Sequence, residues 1–155
     1  MAPLSPDRGS WDPAIWNRYW QFDRIASCFD GGGERNYDES VAAGWRTFFA
    51  DVPEGARLLD LCTGNGAAAL IAAEIGLAQD KQFEIVAVDR AEIDPPAYVS
   101  RHREALATID FRPGTEAEKL PFDDGRFDAV FSQYGIEYYT LSLHDALPIN
   151  RKSVV

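Results

Sequence analysis

The feature that most restricts the fold of this chain is an apolar strand that passes an acidic residue and runs into a glycine-rich loop. The sequence reads LLDLCTGNG over residues 58–66 and continues as the small-residue stretch AAALIAA over residues 67–73. Glycine lets the backbone turn tightly and approach a ligand, and a helix N-terminus favours negative charge. The pattern therefore predicts a strand, a ligand-binding loop and a helix, in that order.

A second apolar run supports a ligand site at the same edge of the sheet. Residues 83–88 are mostly apolar and lead to Asp89, about twenty residues past the glycine loop. A carboxylate at this position can accept hydrogen bonds from ribose hydroxyl groups. The two segments together predict a nucleoside-binding site. Two alternatives remain open: Asp60 could cap the loop as a turn residue, and Asp89 could simply end a strand.

The glycine spacing distinguishes between nucleoside ligands. Dinucleotide-binding loops have the pattern G-x-G-x-x-G around a pyrophosphate, and the loop with Gly64 and Gly66 does not follow it. The carboxylate of Asp60 would repel a pyrophosphate but would suit an ammonium group. S-adenosylmethionine has an ammonium group, a sulfonium and a ribose, and it has no phosphate. The loop therefore favours S-adenosylmethionine over a nicotinamide dinucleotide.

Two motifs resemble those of a known family. The loop resembles the first motif of the class I S-adenosylmethionine-dependent methyltransferases, an acidic residue followed by G-x-G-x-G, with Cys62 in place of the first glycine. Residues 116–135 resemble the stretch through strand four in the small-molecule branch of that family. The resemblance implies that Glu116 and Ala117 meet the adenine and that residues 132–134 face the methyl-transfer position. A solvent-exposed role for Glu116, and ordinary loop roles for residues 132–134, remain equally open.

We therefore predict one cofactor site for S-adenosylmethionine. Its residues are Asp60, Cys62, Gly64, Asn65, Gly66, Asp89, Arg90, Glu116, Ala117 and Ser132. In this site the glycines approach the methionine portion, Asp60 engages the ammonium group directly or through water, and Asp89 holds the ribose. Thr63 and Asn65 are expected to form hydrogen bonds within the loop rather than to contact the cofactor. The sequence identifies no catalytic residue, and Cys28 and Cys62 do not have a metal-ligand spacing.

The order of apolar and polar segments predicts an α/β fold, which the resemblance makes a Rossmann-like parallel sheet with helices on both faces. We expect helices over residues 14–29, 39–50, 66–75 and 97–107, and strands over residues 57–61, 84–89, 109–112 and 127–132. Three regions follow: an N-terminal helical cap (1–50), a partial S-adenosylmethionine-binding domain (51–138) and a tail (139–155). The aromatic residues of the cap are expected to pack on the sheet, with a lid over the site as the alternative.

The tail does not fit this alternation. Residues 139–149 resemble the in-frame translation of a common short-read sequencing adapter, and the C-terminal residues 151–155 match the translation of its opposite strand up to a stop. We expect residues from about 139 onward to be non-native and the chain to hold four of the seven strands of its parent. His144 and Asp145 are accordingly given no catalytic role.

Charge and composition narrow the partners. The formal net charge of −10 and the absence of a basic stripe disfavour a nucleic-acid partner. No segment has the length of a membrane span, so we expect a cytoplasmic protein with reduced cysteines. Methyl transfer to a small molecule by the parent protein is the leading hypothesis. A truncated, inactive cofactor-binding fragment and a nicotinamide-dependent oxidoreductase are the alternatives, and the oligomeric state is open.

Overall fold

The protein was analysed as a computed structural model that describes residues 13–27 and 36–135. Five helices lie in these ranges: α1 (Pro13–Tyr19), α2 (Glu39–Asp51), α3 (Ala67–Ala78), α4 (Pro95–Tyr98) and α5 (Arg103–Leu106). The strands are β1 (Arg57–Leu61), β2 (Glu84–Val88), β3 (Ile109–Arg112) and β4 (Ala129–Phe131), and a 3₁₀ turn spans Ala117–Lys119. The end of the helix expected over residues 14–29 and the tail from residue 139 lie outside the described ranges.

The described strands form one parallel sheet in the order β3-β2-β1-β4. The chain runs outward from β1 through β2 to β3 and then crosses back to place β4 on the other side of β1. The carboxyl ends of β1 and β4 therefore meet at the point where the direction of winding reverses. Ligands of open parallel sheets bind at such a switch point.

The two faces of the sheet are covered by different parts of the chain. Side chains alternate along each strand, so Leu58 and Ile85 face α3 while Leu59 and Val86 face the opposite side. The α3 helix is apolar almost all round, because it lies between the sheet and α2. The opposite face is covered by the segment from Ala117 to Phe127. This arrangement confirms the predicted α/β class with a buried parallel sheet.

The first helix is shorter than the sequence predicts. The apolar spacing indicates a helix over residues 14–29, but α1 ends at Tyr19 and residues 20–27 are irregular. The carbonyl groups of Trp20, Phe22 and Arg24 accept hydrogen bonds from the side-chain amide of Asn65. These carbonyl groups accept hydrogen bonds from a distant side chain rather than from backbone N–H groups of a next helical turn. The prediction of one long helix was therefore wrong.

The predicted helix over residues 97–107 is also divided. Two single-turn helices, α4 and α5, are separated by extended backbone at Val99 and by His102 in the left-handed region, with φ 55°. Between them, the N–H of Ser100 donates to the carboxylate of Asp23 at 3.1 Å. The break therefore occurs where the chain bonds to the N-terminal segment, a contact that the local sequence does not reveal.

The other elements lie close to their predicted bounds. The β1 and β3 bounds agree with the prediction, whereas β2 ends one residue early and β4 covers only Ala129–Phe131 of the expected residues 127–132. At the end of β4, the hydroxyl of Ser132 donates to the carbonyl of Leu61 at 2.8 Å. The N-terminus of α2 is capped by Asp38, whose carboxylate accepts from the N–H of Val41 at 3.0 Å.

Candidate active site

The glycine loop turns sharply at the carboxyl end of β1. Cys62, Gly64 and Gly66 all have positive φ angles, of 54°, 55° and 85°. Cys62 occupies the position of the first glycine of the motif and adopts a left-handed conformation that non-glycine residues rarely take. The loop is anchored to the neighbouring strand by the N–H of Thr63, which donates to the carbonyl of Val88 at 3.0 Å.

Asp60 holds the loop against the start of α3. One oxygen of its carboxylate, Oδ2, accepts hydrogen bonds from the hydroxyl of Thr63 at 2.7 Å and from the N–H of Ala69 at 3.2 Å. Burial raises the pKa of Asp60 to about 7, against the lowering effect of these two hydrogen bonds. These contacts support the alternative that Asp60 stabilises the loop, since its side chain does not line the cavity beside the loop.

The two loop glycines leave room for aromatic rings of the protein itself. A Cβ atom on Gly64 would lie 2.3 Å from the indole ring of Trp20, and one on Gly66 would lie 2.8 Å from the ring of Phe111. Any side chain at either position would therefore collide with a ring. The glycines allow tight packing of the loop between the N-terminal segment and β3, in addition to their turn geometry.

Asn65 joins the loop to the N-terminal segment. Its side chain is fully buried, and Nδ2 lies 2.6 Å from the carbonyl oxygen of Arg24 and 3.0 Å from that of Trp20. The amide is thus used to hold residues 20–24 over the loop. Asn65 does not line the cavity, and its hydrogen bonds go to the N-terminal segment rather than, as expected, to the loop.

Asp89 has a different environment from Asp60. Its Oδ2 accepts from the N–H of Gly64 at 2.8 Å, and its Oδ1 accepts from the N–H of Ala91 at 2.8 Å. Burial raises its pKa, and the backbone N–H groups that it accepts oppose that rise. A carboxylate offers about four lone-pair sites. Asp89 lines the cavity, so it keeps acceptor capacity there for a ligand.

A cavity of about 150 Å³ lies at the carboxyl edge of the sheet. One wall comes from the predicted cofactor motifs and consists of Cys62, Thr63, Ala67, Asp89, Arg90, Ala91, Thr115, Glu116, Ala117 and Glu118. The other lining residues belong to the N-terminal segment and to the end of β4, and they are Trp16, Trp20, Ile25, Ser27, Tyr37, Gln133, Tyr134 and Gly135. The volume of this cavity is below the usual range for pockets that enclose a whole small-molecule ligand. The ring of Trp20, which lies on Gly64, takes up part of the space beside the loop.

The structure thus divides the predicted site residues into two groups. The residues that line the cavity are Cys62, Asp89, Arg90, Glu116 and Ala117. The residues that do not line it are Asp60, Gly64, Asn65, Gly66 and Ser132. The lining includes Gln133 and Tyr134, two of the residues that the resemblance expects at the methyl-transfer position. The sequence-based site omitted the aromatic residues Trp16, Trp20 and Tyr37, because such a cluster before the sheet is typical of packing against a core. The only available signal was their position just before the first strand.

Comparison with known proteins identifies the family. Residues 58–148 match the model of a methyltransferase domain family, which covers more than half of the chain. The chain belongs to this methyltransferase family. The family match includes part of the segment from residue 139, which lies outside the described residues.

Curated methyltransferases are similar over most of this chain. The 2-phytyl-1,4-naphtoquinone methyltransferase of Synechococcus elongatus is 28% identical over 124 residues. The match covers 74% of this chain and 49% of that protein, so the chain spans about half the length of the curated relatives it matches.

Solved structures also match. The YcgJ protein of Bacillus subtilis has a TM-score of 0.49 at 23% identity, over 66% of this chain and 41% of that one. YjhP from E. coli has a TM-score of 0.49 at 16% identity, over 78% of this chain and 45% of that one.

Membership of the methyltransferase family confirms the resemblance read from the motifs. It confirms S-adenosylmethionine as the cofactor and favours methyl transfer over the nicotinamide-dependent alternative. In the part of the chain that the structure describes, no helix is long and apolar enough to cross a bilayer. The domain boundaries and the roles of single residues stay predictions.

Proposed function

We propose that the cavity beside the glycine loop binds S-adenosylmethionine and that the protein uses it to methylate a small-molecule acceptor. The observation that carries this proposal is the position of Asp89. Its carboxylate follows β2, lines the cavity and is held by the N–H groups of Gly64 and Ala91. A carboxylate fixed in this way is preorganised to accept hydrogen bonds from both ribose hydroxyls.

The residues around Asp89 fit the rest of the cofactor. Glu116 and Ala117 lie on the same wall, where the adenine would pack, and Ala67 at the start of α3 marks the methionine end. The N-terminus of α3 favours the methionine carboxylate. We revise the role of Asp60 accordingly: it holds Thr63 and the first turn of α3 in place rather than contacting the ammonium group.

The cofactor supplies a methyl group that its sulfonium already activates. The acceptor nucleophile forms a bond to the methyl carbon while the carbon–sulfur bond breaks, the electron pair stays on sulfur, and a proton leaves the acceptor to solvent. The residues of this chain bind, align and exclude water. Alignment can supply roughly 7–11 kcal/mol in well-oriented systems. We assign no catalytic base to a residue of this chain.

A small organic acceptor is supported by two observations. The similar curated proteins are named as methyltransferases of a naphtoquinone compound, and the negative net charge of −10 disfavours a phosphate backbone. The same charge supports our proposal that the protein does not bind nucleic acid, and we also propose that it is cytoplasmic.

Thermal unfolding with added ligands tests the cofactor site. We expect S-adenosylhomocysteine to raise the melting temperature and NAD to leave it unchanged, because the loop binds a nucleoside without a pyrophosphate. Asp89→Asn replaces a charged carboxylate, which can accept hydrogen bonds from both ribose hydroxyls, with a neutral amide that has one acceptor oxygen. The affinity for S-adenosylhomocysteine should therefore fall at least about tenfold, or 1.4 kcal/mol.

The matched control is Asp110→Asn, which changes an exposed carboxylate on β3 that pairs with Arg112. It should leave the affinity for S-adenosylhomocysteine unchanged in calorimetric titration. Equal affinities of the wild type and Asp89→Asn, or protection by NAD alone, would refute the proposed cofactor site.

A further inference from the structure

A glutamine next to the cavity is held in one orientation by a tryptophan on another element. Gln133 follows β4 and lines the cavity, and its Oε1 accepts a hydrogen bond from Nε1 of Trp45 at 2.8 Å. Trp45 belongs to α2, and its ring stacks on Phe49 with a centroid distance of 5.6 Å. It also packs against Phe131 of β4, at 5.5 Å. The donor that orients Gln133 is therefore itself fixed by core packing.

Because the donor is the indole N–H of Trp45, the orientation of the Gln133 side-chain amide is determined. An indole N–H can donate but cannot accept, so the atom of Gln133 beside Trp45 must be the carbonyl oxygen. The NH₂ group is then left on the other side of the amide. Within residues 13–27 and 36–135, Gln133 makes no other hydrogen bond. The NH₂ group of this half-buried side chain is therefore available to donate to a ligand.

Aromatic rings lie next to this amide. Tyr134 has a φ of 58°, a left-handed conformation that is costly for a bulky residue. In this conformation its ring meets that of Tyr37 edge-on, with centroids 6.0 Å apart, and both rings line the cavity. Trp16 and Trp20 complete the same wall and stack on each other at 6.3 Å. The wall is suited to a flat apolar molecule.

We propose that Gln133 recognises the methyl acceptor by donating a hydrogen bond from its NH₂ group to an oxygen of that molecule. The acceptor is then a planar aromatic compound with a hydroxyl or carbonyl oxygen, and its ring packs against Tyr37 and Tyr134. This inference rests on the proposed function, because the proposed function assigns the lining residues of the cofactor motifs to S-adenosylmethionine. Trp45 is a positioning residue that acts through Gln133.

Binding of two matched probes to the protein saturated with S-adenosylhomocysteine tests the inference. The probes are 1-naphthol and naphthalene, which share their rings and differ in one oxygen. We expect 1-naphthol to bind about three- to tenfold more tightly, the range of one net hydrogen bond. Gln133→Leu should abolish this difference, because leucine retains the bulk but lacks the NH₂ group.

Two further variants separate recognition from folding. Trp45→Phe keeps the ring packing but removes the indole N–H, so it should reduce the preference for 1-naphthol through loss of the amide orientation. Gln79→Leu makes the same substitution at an exposed position at the end of α3 and should preserve the preference. All three variants should bind S-adenosylhomocysteine as the wild type does.

The outcomes distinguish the inference from the function on which it rests. If S-adenosylhomocysteine binds but Gln133→Leu retains the preference for 1-naphthol, the role of Gln133 is wrong. If the wild type with S-adenosylhomocysteine binds neither probe, the aromatic acceptor class is wrong. Failure of the wild type to bind S-adenosylhomocysteine overturns the proposed function itself.

Discussion

Asp60 and Asp89 lie at the carboxyl ends of neighbouring strands, and their surroundings give them different tasks. Asp60 is 2% exposed and accepts from Thr63 and Ala69, so it supports the loop from behind. Asp89 accepts from Gly64 and Ala91 and still borders the cavity. The sequence could place both carboxylates at the same edge of the sheet. It could not show which one a ligand would reach, because that depends on how α3 and the loop pack around them.

The raised pKa of Asp60 predicts a dependence of stability on pH. The pKa of Asp60 is near 3.8 in the unfolded chain and about 7 in the folded protein, so between these values its carboxyl group binds more protons in the folded state. The contribution of Asp60 to the free energy of unfolding should therefore be greatest below the lower value and should fall as the pH rises through 7. Asp60→Asn keeps an oxygen acceptor for Thr63 and Ala69 and should remove much of this fall.

Urea unfolding at several pH values between 3.8 and 7 measures this effect. The pKa of Asp89 is also raised, so a smaller fall in stability should remain in the variant. Asp110→Asn serves as the control and should follow the wild type. A pH profile of Asp60→Asn identical to that of the wild type would show that Asp60 titrates as an ordinary carboxyl group.

The N-terminal segment becomes part of the site through contacts between elements. Asn65 bonds to the carbonyls of residues 20–24, and the ring of Trp20 lies directly on Gly64. The side chain of Asn17 accepts from the N–H of Glu92 at 2.9 Å, next to the end of β2. These contacts hold the segment against the glycine loop, and whether it acts as a lid stays a prediction.

Two glycine-to-alanine substitutions should have opposite effects on stability. Gly64→Ala introduces a Cβ that would lie 2.3 Å from Trp20, at a φ of 55°, so it should destabilise the protein by about 1–3 kcal/mol. Gly44→Ala changes an exposed glycine inside α2 whose Cβ would meet no atom within 4 Å. It should stabilise the protein by about 0.5–1 kcal/mol, because alanine has the higher helix propensity.

Denaturant unfolding of the two variants provides the measurement, and each serves as the control for the other. Trp20→Ala in the Gly64→Ala background should recover part of the lost stability, since it removes the ring that the new methyl group meets. Similar losses in both single variants would mean that Trp20 does not pack on the loop.

At the scale of the whole molecule, the carboxyl ends and the amino ends of the strands differ in what they carry. The carboxyl edge holds the glycine loop, Asp89 and the cavity. The opposite edge is held by ion pairs: Arg57 binds Asp128 at 2.9 Å, and Arg126 pairs with Glu84. These exposed pairs contribute little to stability individually. These residues do not line the cavity. A ligand should therefore change the dynamics of the backbone at the carboxyl edge and leave the backbone at the opposite edge unchanged.

Amide hydrogen exchange with and without S-adenosylhomocysteine tests this separation. The ligand should slow exchange in residues 62–66, 89–91 and 115–118, and also in residues 20–27, because the N-terminal segment closes the cavity. Exchange at Arg57 and Asp128 should stay the same. Protection spread evenly over both edges would indicate general stabilisation rather than a site at the carboxyl edge, and NAD serves as the control ligand.

The sequence by itself determined the order of strands and helices, the glycine loop, and the position of both carboxylates at one sheet edge. Those features depend on local chemistry: apolar runs form buried strands, and glycine permits the turn. Only the tertiary structure decided where α1 ends, where residues 97–107 break, and how Gln133 is oriented. Each of these depends on a hydrogen bond between residues 41 to 88 positions apart, from Asn65 to Arg24, Ser100 to Asp23, and Trp45 to Gln133. Periodicity reports on neighbours along the chain, so it contains no information about such pairs.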